Sequence, residues 1–166
     1  MFWRQSKMKP KVYIETTIVS CLIARPTREV VMAAMLSQTK DWWTAEREGF
    51  DLFISDVVLR EAAAGDATAA RRRLDVLREI AVVENDAESQ MLADVLLRNA
   101  ALPPIAADDA LHIAIAAVNQ MDYLLTWNCR HIANAVMRPK IEGLCMAEGL
   151  RCPIICTPSE LRRPNR

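Results

Sequence analysis

Residues 106–126, AADDALHIAIAAVNQMDYLLT, decide the fold. Ala106–Gln120 is rich in alanine and isoleucine and apolar on most sides, the pattern of a central helix surrounded by protein. Asp122–Thr126 then reads as a short strand buried on both faces, as strands of parallel sheets are. A buried helix running into a buried strand is half of a βαβ unit, so a mainly parallel sheet is expected.

The alternation continues outward in both directions. Lys11–Ile14 reads as a short buried strand ending at Glu15, Phe50–Ile54 as a second strand, Ala81–Val83 as a third and Pro153–Cys156 as the last. Between them, Arg28–Glu48 has helical spacing, with Val31, Met35 and Trp42 among its apolar positions and Gly49 as a stop. Ser55 is placed to cap a helix running through Val58, Leu59, Ala62 and Ala63 to Gly65. Ala67–Ile80 is amphipathic, with Leu74, Leu77 and Ile80 on one side. Ala87–Ala101 is helical and closed by Pro103–Pro104, and a helical pattern covers His131–Glu148 with Pro139 as its candidate break. The expectation is one α/β domain over residues 11–160, a three-layer α/β/α sandwich with a central mainly parallel sheet. A flexible N-terminal tail (1–10) and a basic C-terminal tail (161–166) would flank it.

Composition narrows the function classes. The 166 residues carry 21 Lys+Arg and 21 Asp+Glu, a net charge of zero, which excludes a bulk polycationic binder. The distribution says more. Residues 1–11 hold Arg4, Lys7, Lys9 and Lys11 with no acid, and residues 151–166 hold four arginines against Glu160, so the body between is acidic. With only four glycines, none at the spacing of a dinucleotide or Walker loop, nucleotide-binding enzymes of those types are excluded. The five cysteines suit reduced thiols in a cytoplasm; Cys152 and Cys156 lack the partner pair that a zinc knuckle needs. Apolar runs fall short of the ~20 residues that span a bilayer, so a soluble protein with no membrane partner is expected.

Ligands of open parallel sheets bind beyond the carboxyl ends of the strands. The first strand delivers Glu15, Thr16 and Thr17 there. The second delivers Ser55 and Asp56, with Glu61 farther along the following helix. The fourth delivers Thr126, Trp127 and Asn128, then Arg130 and His131. Asp108 and Asp109 open the central helix, about 100° apart, so only one of them faces a given site. If Glu15, Glu61 and Asp109 converge, their mutual repulsion calls for a cation. A hard, oxygen-seeking Mg²⁺ or Mn²⁺ suits such a set and activates water toward phosphodiesters. Spacing alone leaves cap or surface roles open for each acid, and a hydrogen-bonded structural role for His112.

Four segments taken together resemble the PIN-domain family, specifically the toxin ribonucleases of VapBC-type toxin–antitoxin pairs. They are Val12-Tyr-Ile-Glu-Thr-Thr-Ile18, Ile54-Ser-Asp-Val-Val-Leu-Arg-Glu61, Asp109-Ala-Leu-His-Ile-Ala114 and Tyr123-Leu-Leu-Thr-Trp-Asn128 with Arg130 and His131, in the family's order. The resemblance implies a PIN-like sandwich whose acids bind Mg²⁺ or Mn²⁺ and cleave RNA. By position it assigns catalytic and metal-binding roles to Glu15, Glu61 and Asp109. Supporting roles fall to Thr17, Asn128, Arg130 and His131. Two positions depart from the family: Glu15 stands for an aspartate and Asn128 for a fourth acid, which leaves a non-catalytic PIN-like RNA- or protein-binding module as the alternative. The resemblance also implies a cognate antitoxin and a homodimer. Arginine supplies 16 of the 21 bases and suits phosphate contacts, with Arg130 and, in the loop after the first strand, Arg25 and Arg28 flanking the proposed site. Trp127 is placed either to stack an RNA base or to pack in the core.

Overall fold

In a computed structural model of the chain, residues 8–163 are described. Most of the expected N-terminal tail and residues 164–166 lie outside them. The strands are β1 (Lys11–Ile14), β2 (Asp51–Ser55), β3 (Ala81–Val83), β4 (Tyr123–Leu125) and β5 (Ile154–Cys156). They form one sheet in the order β3-β2-β1-β4-β5, and all four pairings are parallel.

The helices are α1 (Thr16–Ile23), α2 (Val30–Ala45), α3 (Asp56–Ala62), α4 (Ala67–Leu77), α5 (Ala87–Arg98), α6 (Ala107–Val118) and α7 (Arg138–Ala147). The chain steps from β1 to β2 to β3 in one direction, then crosses to β4 and β5 on the other side of β1. Because βαβ crossovers are right-handed, the reversal puts α1–α4 on one face and α5–α7 on the other. The packing agrees: α1 lies against α2, α3 and α4, and α5 against α6 and α7. This is the expected PIN-like three-layer sandwich.

The central layers are buried. Val12, Tyr13, Ile14, Ile54, Leu124 and Leu125 are buried in the sheet, and α6 buries seven residues from Ala110 to Ala117, as its sequence predicts. Trp42 is fully buried, stacked on Phe50, and its indole N–H donates to the Leu161 carbonyl. Arg163 pairs with Glu46 at 2.8 Å. Leu161 and Arg163 are thereby fastened to the body, because a buried indole needs an acceptor.

Two local expectations change. The segment after β1, read as a loop carrying Arg25 and Arg28, contains α1, and both arginines are exposed beyond its end. The helix expected over His131–Glu148 occupies only Arg138–Ala147. Pro139 lies in its first turn, where the missing N–H costs no helical bond, so it starts the helix rather than breaking it. In the Arg71–Arg73 run, Arg73 donates to the carbonyls of Ala62 and Ala64 at the end of α3, while Arg71 and Arg72 are exposed. Among the described residues no helix is long and apolar enough to cross a membrane. All five cysteines are free thiols.

Candidate functional site

The order of the strands reverses at β1 and β4, which makes the crevice beyond their carboxyl ends the expected ligand site. Register sets what stands there. Ile14 pairs with Leu125, so Glu15 and Thr126 are level at the sheet edge, and the Glu15 amide donates to the Leu125 carbonyl. Tyr13 pairs with Phe53 two residues before that edge, which brings Ser55 level with Glu15.

Glu15 is a buried carboxylate, 4% exposed, and also the N-cap of α1. One oxygen accepts from the Thr17 amide at 3.1 Å. The other accepts from the hydroxyls of Thr17 and Thr126, the latter at 2.7 Å. Thr17 has a second duty, because its hydroxyl oxygen accepts from the Trp127 amide at 2.8 Å. Three hydrogen bonds, from two threonines, fix the position of this carboxylate without a basic side chain.

Glu61 approaches from α3 and lies half-buried. Its Oε2 accepts from the Thr16 hydroxyl and, at 3.1 Å, from Nε2 of His112. Burial by itself would raise its pKa, but the hydrogen bond and charge of His112, with Thr16 and Arg60, outweigh it and hold the carboxyl below the ordinary range. For His112, 1% exposed, burial would push the imidazole down. The bond to Glu61 and the field of Glu15, Glu61 and Asp109 reverse the sign and leave it raised.

Asp109 comes from the first turn of α6. Its two oxygens meet Asn128 Nδ2 at 2.9 Å and His131 Nδ1 at 2.7 Å. Asn128 also accepts from the His131 amide, which closes a three-residue ring beyond β4. Neighbouring Asp108 points out of the site and pairs with Arg60. The division of these two aspartates between inside and outside is the one that helical geometry requires.

A cleft of about 440 Å³ joins these groups. Glu15, Glu61, Asp109, Thr17 and Asn128 all line it, with Trp127 on its wall. Trp127 is half-buried and its indole donates to Thr39 of α2, so it is anchored to protein on one edge. His131 touches the site through Asp109, while Arg130 is exposed and is not brought to the cleft. Glu15, Glu61 and His112 offer ligand atoms all within 4.8 Å of one another, the one such group among the described residues. Its carboxylates are hard donors of the kind divalent cations take.

The sequence places Thr16 and Thr126 at the strand ends without a role and leaves His112 a hydrogen-bonded structural one, which it has; Tyr13 escapes the sequence reading. Thr126 had a signal, since it ends the clearest strand of the sequence, Asp122–Thr126. His112 had one too, three residues after Asp109 on the same helix. Tyr13 had none, because a tyrosine inside a strand reads as packing.

No family model and no curated protein matches the sequence. The fold is nevertheless similar to a solved one: a chain in the crystal structure of VapBC2 from Rickettsia felis bound to a DNA fragment from their promoter. The TM-score is 0.56 at 15% identity, over 89% of this chain and 98% of that one. That likeness is one of fold, and it agrees with the fold that the resemblance of the four motif segments implies.

Proposed function

We propose that this chain is a Mg²⁺- or Mn²⁺-dependent endoribonuclease and the toxin of a toxin–antitoxin pair. The observation that carries the reading is the meeting of Glu15, Glu61 and Asp109 in one cleft at the point where the sheet order reverses. Glu15, Glu61 and Asp109, which all line the cleft, would hold the cation. When bound, the cation would activate water and offset charge on a phosphodiester. Thr16, Thr17 and Thr126 hold two of the carboxylates, and Asn128 and His131 hold the third. Arg130 serves substrate binding from outside the cleft. Protein and RNA would meet in a cytoplasm, in keeping with the free thiols. The VapBC2 likeness supports an antitoxin as partner, and the homodimer is the family's habit carried over to this chain.

The test is incubation of the purified chain with single-stranded and structured RNA. Cleavage is expected with Mn²⁺ or Mg²⁺, and not with EDTA or in Asp109→Asn. Cleavage that survives both would sink the reading.

One observation favours the alternative, a non-catalytic RNA- or protein-binding module: both oxygens of Asp109 are already engaged by Asn128 and His131. That module would bind RNA equally well in EDTA and would not cut it.

A further inference from the structure

Behind the cleft runs a chain of buried polar side chains that does not line it. Tyr13 and His112 are 0% and 1% exposed. The Tyr13 hydroxyl lies 2.6 Å from Ser55 Oγ and 2.9 Å from His112 Nδ1. The other ring nitrogen, Nε2, reaches Glu61 Oε2. Two strands and a helix thus contribute to one chain: the end of β2 supplies Ser55, β1 supplies Tyr13 bonded to it, and α6 carries the imidazole that Tyr13 reaches.

The direction of the last bond is fixed whatever the tautomer at the other nitrogen. An ionised carboxylate only accepts, so Nε2–H donates. His112 is accordingly not free to ligate a cation: Nε2 carries that proton and Nδ1 faces Tyr13. Thr16 donates to the same Oε2. Among the described residues both hydrogen bonds to the Glu61 side chain fall on Oε2, which leaves Oε1 as the oxygen available to the cleft.

We propose that Tyr13 and His112 are positioning residues, which hold Glu61 by Oε2 so that it presents Oε1 to a divalent cation. The inference rests on the metal-dependent reading above. Its physical basis is conformational freedom. An unbraced glutamate loses three side-chain torsions when it binds a cation, whereas a braced one has lost them on folding.

Calorimetric titration with MnCl₂, with circular dichroism to follow the fold, tests this on Tyr13→Phe, His112→Ala and His112→Gln. Tyr13→Phe keeps the ring in its packing and removes only the hydroxyl. Its Mn²⁺ affinity should fall by about tenfold, and that of His112→Ala by about 10- to 100-fold, the range for lost outer-shell partners. His112→Gln places an amide donor near Nε2 and should bind more tightly than His112→Ala, whatever their relative melting temperatures. Tyr13→Phe within about twofold of wild type overturns the proposal. So does a glutamine variant no better than alanine, because a merely structural role makes affinity follow stability and not the donor. If His112→Ala fails to fold, Tyr13→Phe decides. A wild-type chain that takes up no Mn²⁺ removes the metal reading and this inference together, whereas uptake indifferent to the Tyr13 change removes the inference alone.

Discussion

Arg60 of α3 and Asp108 of α6 form an ion pair at 2.7 Å directly outside the site, while the next residue on each helix, Glu61 and Asp109, turns into it. Two helices from opposite faces of the sheet are bridged on the solvent side by opposite charges. On the inner side they present like charges. The outer pair opposes the separation that the inner pair would drive.

The magnitude of that outer bridge follows from its exposure. Its side chains are 58% and 55% exposed, so it contributes about 0–1 kcal/mol. Asp108→Asn should lower the melting temperature by at most about 4 °C in calorimetry and leave Mn²⁺ affinity near wild type. Asp109→Asn should lower that affinity by about tenfold or more, as loss of a charged group in the cleft demands. Equal effects of the two changes on affinity would contradict the inside–outside division.

The buried indole predicts the largest stability effect. Trp42→Ala removes a fully buried ring stacked on Phe50 and the donor to the Leu161 carbonyl. Urea denaturation should show a loss of about 3–5 kcal/mol. Trp42→Phe, which keeps much of the ring but leaves that carbonyl unpaired, should lose about 1–3 kcal/mol.

Acid sensitivity should come in part from Asp122. Its carboxylate takes hydrogen bonds from Arg151 and from the Lys11 amide at the start of β1, and these hold its pKa below the ordinary value. A depressed folded-state pKa stabilises the fold above the unfolded value of about 3.9 and is lost as pH falls through the folded value. Asp122→Asn should therefore be less stable than wild type in urea at neutral pH, with the gap closing as pH falls below that range. A gap that widens toward acid would reverse the sign.

Thiol reactivity should follow burial. Cys129 is exposed, whereas Cys21, Cys145 and Cys156 are buried and burial pushes the Cys156 thiol up to about 12. Titration of the native protein with an aromatic disulfide reagent should label Cys129 first and Cys156 only after unfolding. Peptide mapping of the labelled sites checks the order.

The fold was legible where hydrophobic period and turn chemistry agree. The buried helix from Ala110 to Ala117 and the strand at Tyr123–Leu125 carry their burial in their composition. So do the strands at Lys11–Ile14 and Asp51–Ser55. The failures are local competitions. Eight residues, Thr16–Ile23, were too short and too β-branched to read as a helix. They form one because Glu15 caps them and α2, α3 and α4 cover them. Pro139 looked like a break because a proline inside a helical pattern usually is one. Only the true start of α7 shows that it stands in the first turn.

The residues by themselves determined the chemistry on offer: three carboxylates at strand or helix ends, few glycines, and an order of motifs that matches one fold. Their meeting was a matter of tertiary structure. Glu15, Glu61 and Asp109 are far apart in the chain, and it is the parallel register of β1 with β2 and β4 that brings them to one edge. Of the brace behind Glu61, only a hydrogen-bonded His112 was legible in advance. A tyrosine, a serine and a histidine become one hydrogen-bonded chain only when the sheet and α6 exclude water, and buried polar groups must then find one another.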